Sequence, residues 1–201
     1  MASSKHGLRK LLAQRNQFPL RSKEIDKEIR RLYERDVAVL VLDMSGFSRT
    51  SNKHGIIHFL AMVAKMEAAA RPAVEGNSGT VIKQEADNLF AVFPRPREAL
   101  ESAVDILRAF DSMNTVLPPD SQILGSIGIG YGPTLVLKDA DLFGIELNFA
   151  SKLGEDFAQP SEVLLTQAAH EALGKKSRHL FTQKTFAAGG VTIEAFQLKK
   201  A

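Results

Sequence analysis

The sequence predicts an α+β fold: a ferredoxin-like βαββαβ core followed by an αβαββ extension. Three observations carry that prediction. A strand-sized run of branched residues, Val37-Ala-Val-Leu-Val-Leu42, opens the pattern. Helical stripes then alternate with pairs of short apolar segments. Breaks at Gly76-Asn-Ser-Gly79, at Pro94 and Pro96, and at Leu117-Pro-Pro-Asp120 separate these units. A chain of 201 residues holds one domain of this size and a short extension.

Ser22 is the expected N-cap of a helix to about Glu34, with Ile25, Ile29 and Leu32 on one stripe. The run 37–42 is too short for an ordinary helix and reads as a buried strand, ending at the polar turn Asp43-Met-Ser-Gly-Phe-Ser48. Gly55 to Val74 reads as a helix, with Ile57, Leu60, Ala61 and Ala64 in register. Thr80–Lys83 and Asn88–Phe93 flank Gln84-Glu85-Ala86-Asp87 as a hairpin. Ala99, Ala103, Ile106, Leu107 and Phe110 trace a second core-facing helix. Ile123–Tyr131 and Leu135–Leu137 read as another hairpin, turning at Gly132-Pro133. Both helices of this core should lie on one sheet face, leaving the other free for a ligand or partner. The extension is a helix over Leu142–Leu153, a strand over Val163–Leu165, a helix over Gln167–Leu173, and strands near 180–186 and 191–198. The expected division is a basic N-terminal arm and helix over 1–35, of linker or transducer type, and one domain over 36–201.

Charge is distributed unevenly. Residues 1–35 carry ten Lys or Arg against four Asp or Glu, +6, so the remainder carries −3 of the net +3. The basic excess therefore lies in a tail, which reads as a solvated arm, and no nucleic-acid partner is expected. The absence of cysteine excludes disulfides, thiolate metal sites and thiol nucleophiles. No apolar run is long enough to span a bilayer, and a cytoplasmic location is expected.

Chemistry concentrates in four short segments. Asp43 follows the first strand and Asp87 sits at the tip of the hairpin beside it. In a β-α-β-β unit those points can be neighbours, and converging carboxylates suit a hard cation such as Mg²⁺ or Mn²⁺. Taken alone, each reads as a turn residue sooner than as a ligand. Gly46 lets the backbone bend so that N–H groups can face a phosphate. Lys83 stands four residues before Asp87. Asn148 and Lys152, at i and i+4, share one helix face, where an amide and a cation could orient a ribose and offset phosphate charge. His54 and His58 have the spacing of a zinc pair, but no third ligand is evident and a helix-surface pair is the better account. The glycines of Gly128-Ile-Gly-Tyr-Gly132 lack the strand-turn-helix setting of a dinucleotide loop and read as sites of close packing.

Taken together, these segments resemble class III adenylate and guanylate cyclase catalytic domains. Asp43 with Gly46-Phe47-Ser48 is similar to that family's metal-binding strand end. Val81-Ile-Lys-Gln-Glu-Ala-Asp87 resembles its second metal segment. Asp141-Leu-Phe-Gly144 and Leu147-Asn-Phe-Ala-Ser-Lys-Leu153 resemble its Asp-x-x-Gly and Val-Asn-x-Ala-x-Arg-Leu segments. The resemblance implies the class III cyclase fold. It implies two divalent ions, Mg²⁺ or Mn²⁺, held by Asp43, Asp87 and the Met44 backbone carbonyl. Gly46, Phe47 and Ser48 would bind substrate. Lys83 and Asp141 would read adenine, Asn148 would position the ribose, and Lys152 would stabilise charge in the transition state. It implies adenylate cyclase activity on ATP in a head-to-tail homodimer, with an upstream regulatory domain or protein acting through the N-terminal helix. It leaves open another nucleotide, or a low-activity or non-catalytic signalling module. Three departures bear on this. Lys152 replaces an arginine, Ala86 replaces a glycine, and Glu162 and Ala187-Ala-Gly-Gly190 lack cations that relatives supply to the triphosphate.

Overall fold

The computed structural model describes residues 4–45, 54–138, 140–174, 177–188 and 191–199. Its centre is an eight-stranded sheet. Strand β1 (Glu34–Met44) lies between β3 (Asn88–Phe93) and β4 (Gly125–Leu137), antiparallel to both, and β2 (Thr80–Glu85) closes that edge. Beyond β4 come β6 (Val163–Thr166), parallel to it, then β8 (Val191–Leu198) and β7 (Phe181–Ala188). The short β5 (Asp141–Phe143) pairs with the far end of β4. The βαββαβ core and its extension thus form one continuous sheet.

Alternation along β1 assigns its two faces. Ala38, Leu40 and Leu42 pack beneath α3 (Ile56–Gly76) and α4 (Pro96–Asn114), with Phe59, Met66, Ala103 and Phe110 in the main core. Val39 and Val41 face the other way, onto Leu147 and Ala150 of α5 (Ile145–Lys152). The second sheet face is therefore covered in part by α5 rather than left open as expected. Gly128 and Gly130 make this possible. A Cβ on Gly128 would stand 1.9 Å from the Ala150 carbonyl oxygen, and one on Gly130 would stand 2.4 Å from that of Glu146. The helix thus rests on bare strand backbone, and the reading of these glycines as packing sites holds.

Three further expectations are corrected. Residues 123–137 form one strand from Gly125 onward, not a hairpin: Gly132 and Pro133 stay in the ladder opposite Val37 and Asp36. Pro133 is tolerated because β6 pairs only with 127–129 and β5 only with 135–137, so that edge of β4 is open there. The helix expected from Leu142 begins at Ile145, since Asp141–Phe143 is drawn into the sheet. On α3 the buried residues are Phe59, Met62, Val63, Met66, Ala70 and Val74, while Ile57 and Leu60 face outward.

At the N-terminus, residues expected to be a solvated arm form α1 (Lys5–Gln17), folded back on α2 (Ser22–Tyr33) through a short 3₁₀ turn. Arg15 holds Asp26 with two hydrogen bonds, 2.5 and 3.1 Å. Leu8, Ile25, Ile29 and Tyr33 cluster around Leu137 of β4. Ser22 is the first residue of α2 rather than its side-chain cap. The tail α6 (Gln167–Leu173) is capped by Thr166, whose hydroxyl accepts from the Ala169 N–H. Among the described residues no helix is long and apolar enough to cross a membrane.

Candidate active site

Two groups of side chains stand out, and both are products of strand register. Asp43 is the penultimate residue of β1, opposite Asn88 in β3 and Ser126 in β4. Asp87 belongs to the two-residue turn joining β2 to β3. The Met44 N–H donates to the Asp87 carbonyl at 3.2 Å, tying the hairpin tip to the end of β1. The two carboxylates therefore meet at one corner of the sheet. Burial raises the Asp43 pKa from 3.8 to about 7, helped by the negative charges of Asp87, Glu155 and Asp156. A carboxyl that resists ionisation at neutral pH marks a place where negative charge lacks a counterion.

Glu155 and Asp156 were not anticipated. They lie in a π turn, Leu153–Phe157, that ends α5, with Gly154 pressed against the backbones of Val41 and Gly128. Glu155 is pushed up by burial, then by Asp156 and Asp87, while a Ser151 hydrogen bond and the Lys152 charge oppose the shift. Their signal was their place one turn beyond Lys152. The π turn changes the register there, so helical spacing alone does not aim them.

The turn carrying Asp87 has Ala86 at φ 51°, the left-handed region. The turn therefore favours the glycine that Ala86 replaces in the resemblance, although alanine is accommodated here. Gly46, Phe47 and Ser48 lie outside the described residues. Met44 is buried at the end of β1.

The second group joins β2 to β5. Lys83 Nζ lies 2.9 Å from Asp141 Oδ1 and 3.0 Å from Glu85 Oε1, over the Phe90 ring. Burial works against the Lys83 ammonium, but its bonds to Asp141 and Glu85 raise its pKa overall. Asp141 is 13% exposed. Burial favours its neutral form, yet Lys83, Lys5 and the Leu142 N–H hold it below the usual carboxylate range. The Lys5 contact, Nζ to Oδ2 at 3.1 Å, comes from α1 and spans 136 residues of sequence. No local pattern could have signalled it.

Asn148 and Lys152 are exposed on α5, whose opposite side buries Leu147 and Ala150. Among the described residues no hydrogen bond or ion pair links the Asp43–Asp87 corner to the Lys83–Asp141 pair. One chain thus displays three separate elements: a carboxylate corner, the Lys83–Asp141 ion pair and an outward amide–ammonium face. The His54 and His58 rings lie 4.8 Å apart, tilted by 40°, and both turn to Asp120. Among the described residues no three His, Asp or Glu side chains are grouped to hold a metal ion unaided.

Comparison with known proteins gives this geometry its context. No family model matches the chain. It is 30% identical over 134 residues to a protein of Rhizobium meliloti (strain 1021) named "Putative adenylate cyclase 3", a match covering 67% of this chain and 22% of that relative's length. Among solved structures it resembles an adenylate/guanylate cyclase/hydrolase from Silicibacter pomeroyi, with a TM-score of 0.71 and 24% identity, covering 84% of this chain and 98% of that one. It also resembles adenylate cyclases from Trypanosoma brucei in their monomeric state, with a TM-score of 0.67 and 19% identity, covering 81% and 87%. In its sheet, its helices and their order, this chain has the fold of class III nucleotidyl cyclase domains.

Proposed function

We propose that the chain is an adenylate cyclase catalytic domain, converting ATP to 3′,5′-cyclic AMP and pyrophosphate at sites shared between two head-to-tail copies. The observation that carries this reading is the Lys83–Asp141 pair, a half-buried donor and a buried acceptor brought side by side from β2 and β5. A lysine donor suits adenine N1 and a carboxylate suits the 6-amino group, whereas guanine offers the reverse pattern.

The carboxylate corner fits two divalent ions. Asp43 and Asp87 are hard oxygen donors, and a cation there would offset the burial and the Asp87 charge that raise the Asp43 pKa. With two carboxylates and no full protein cage, the remaining ligands would come from the Met44 carbonyl, water and substrate phosphates, as is usual for Mg²⁺. Bound there, the ions would activate the ribose 3′-hydroxyl and offset triphosphate charge. The 3′-hydroxyl would give up its proton to solvent as its oxygen bonds to the α-phosphorus and the bond from that phosphorus to the bridging oxygen breaks, and pyrophosphate would depart with the electron pair. Asn148 would orient the ribose and Lys152 would balance charge on the phosphate. Their outward placement on α5 suits delivery to a sister copy, so a lone protomer should be inactive. Gly46, Phe47 and Ser48 would hold phosphate. The hairpin of α1 and α2 would serve as the linker to an upstream regulator, in a cytoplasmic setting.

The test offers ATP, GTP, CTP and UTP separately to the purified chain with Mg²⁺ or Mn²⁺ and resolves products chromatographically. Cyclic AMP should dominate, and Asp43→Ala or Asp87→Ala should abolish it while leaving the circular dichroism spectrum unchanged. Preferential cyclisation of GTP or UTP would overturn the reading of Lys83 and Asp141. Absence of any cyclic product would overturn the enzyme.

A further inference from the structure

The Asp141 carboxylate is nearly saturated before any substrate arrives. Oδ1 accepts from Lys83 Nζ at 2.9 Å and from the Leu142 N–H at 3.0 Å, and Oδ2 accepts from Lys5 Nζ at 3.1 Å. A carboxylate has about four acceptor positions, so one remains. Two of the donors belong to the domain itself. The third is the first residue of α1, and its position is fixed. Ser4 caps the helix through the Gly7 N–H, the Ser4 carbonyl accepts from the Tyr33 hydroxyl, and Leu8 is buried with Ile25, Ile29 and Tyr33 against Leu137. Leu137 is the residue paired with Asp141 across the sheet, so the seat of α1 and the base reader share one rung. Lys5 is half exposed, whereas Asp141 and Lys83 are 13% and 17% exposed. The lysine therefore reaches the base reader from the solvent side.

We propose that Lys5 is a specificity-determining residue of the base site, an internal donor that competes with the adenine 6-amino group for Asp141 Oδ2. The inference rests on the cyclase reading above. Adenine presents a donor at position 6 and guanine an acceptor. An ammonium docked on Asp141 opposes the first and can serve the second, so Lys5 blunts discrimination against guanine while α1 is seated. Because the contact is half exposed, it is a weak and displaceable clasp. It also makes base recognition sensitive to whatever moves the N-terminal hairpin. By reciprocity, a bound adenine nucleotide should loosen α1.

The experiment measures binding of ribose-labelled fluorescent ATP and GTP analogues to the full chain in Mg²⁺, for the parent, Lys5→Ala, Lys5→Arg and Leu8→Ala. Lys5→Ala should bind the ATP analogue about two- to five-fold more tightly, without a matching gain for GTP. Lys5→Arg should remain like the parent. Leu8→Ala, which unseats α1 while keeping the lysine, should shift in the same direction as Lys5→Ala. Hydrogen exchange over residues 5–17 should quicken when ATP is added. Equal shifts for both nucleotides, or weaker ATP binding by Lys5→Ala, would overturn the proposal and leave the cyclase reading standing. If the parent binds neither nucleotide, both fall.

Discussion

Replacing Asp43 by asparagine should stabilise the metal-free protein at neutral and alkaline pH, although it should destroy catalysis. The folded-state pKa of Asp43 is raised from 3.8 to about 7, chiefly by burial and then by the Asp87 charge. Well below pH 4 the carboxyl is protonated in both folded and unfolded chains, and its ionisation costs nothing. As pH rises, the unfolded chain releases its proton first, so stability present in acid is progressively lost until the folded carboxyl also ionises near pH 7. At 1.36 kcal/mol for each pH unit of displacement, the full loss is about 4 kcal/mol. Asp87 shares the site and relaxation lowers the cost, so about 2–4 kcal/mol is expected at pH 8. For a chain of this length that is roughly 5–15 °C in Tm. The assay is thermal unfolding of parent and Asp43→Asn in a chelator from pH 4 to 8. Their difference should be smallest at pH 4, about half a kcal/mol, and grow to its plateau by pH 8. Added Mg²⁺ or Mn²⁺ should stabilise the parent far more than the variant. A difference that stays flat with pH, or an asparagine variant less stable than its parent at pH 8, would refute the account of this corner.

Three further predictions concern single positions. Ala86→Gly removes the left-handed alanine and should raise stability by about 1 kcal/mol, seen as a higher urea midpoint with unchanged slope. Gly128→Ala forces a methyl onto the Ala150 carbonyl and should cost about 3 kcal/mol or more by the same measurement, because α5 must lift from the sheet. Lys152→Arg supplies a planar fork to the phosphate and should raise kcat about three- to ten-fold with little change in KM, measured by steady-state kinetics on ATP.

How much was legible varies with the kind of signal. The strand 37–42 was plain because burial on both faces makes it apolar throughout, and the stripe at Ala99, Ala103, Ile106 and Phe110 because burial on one side imposes a helical period. Gly132-Pro133 misled because a dipeptide typical of turns also fits a strand whose neighbour stops short. On α3 the apolar residues around Ile57 to Met66 populate both faces, so periodicity could not say which side the sheet would take. The site shows the same division. Asp43, Asp87, Lys83 and Asp141 came from ordered motifs, and the structure brings them together in two pairs. Glu155 and Asp156 depend on a π turn, and Lys5 depends on a helix folding back across the whole domain, neither of which leaves a local mark.

The passage from α2 to β1 has no slack: Tyr33 ends the helix and Glu34 begins the strand. From there one unbroken strand of 11 residues, about 35 Å of extended chain, runs to Asp43 and Met44. A twist applied at the hairpin is thus delivered along a stiff rod to the far corner of the sheet, with no loop to absorb it. A load on the amino-terminal hairpin therefore passes directly into the strand that carries Asp43.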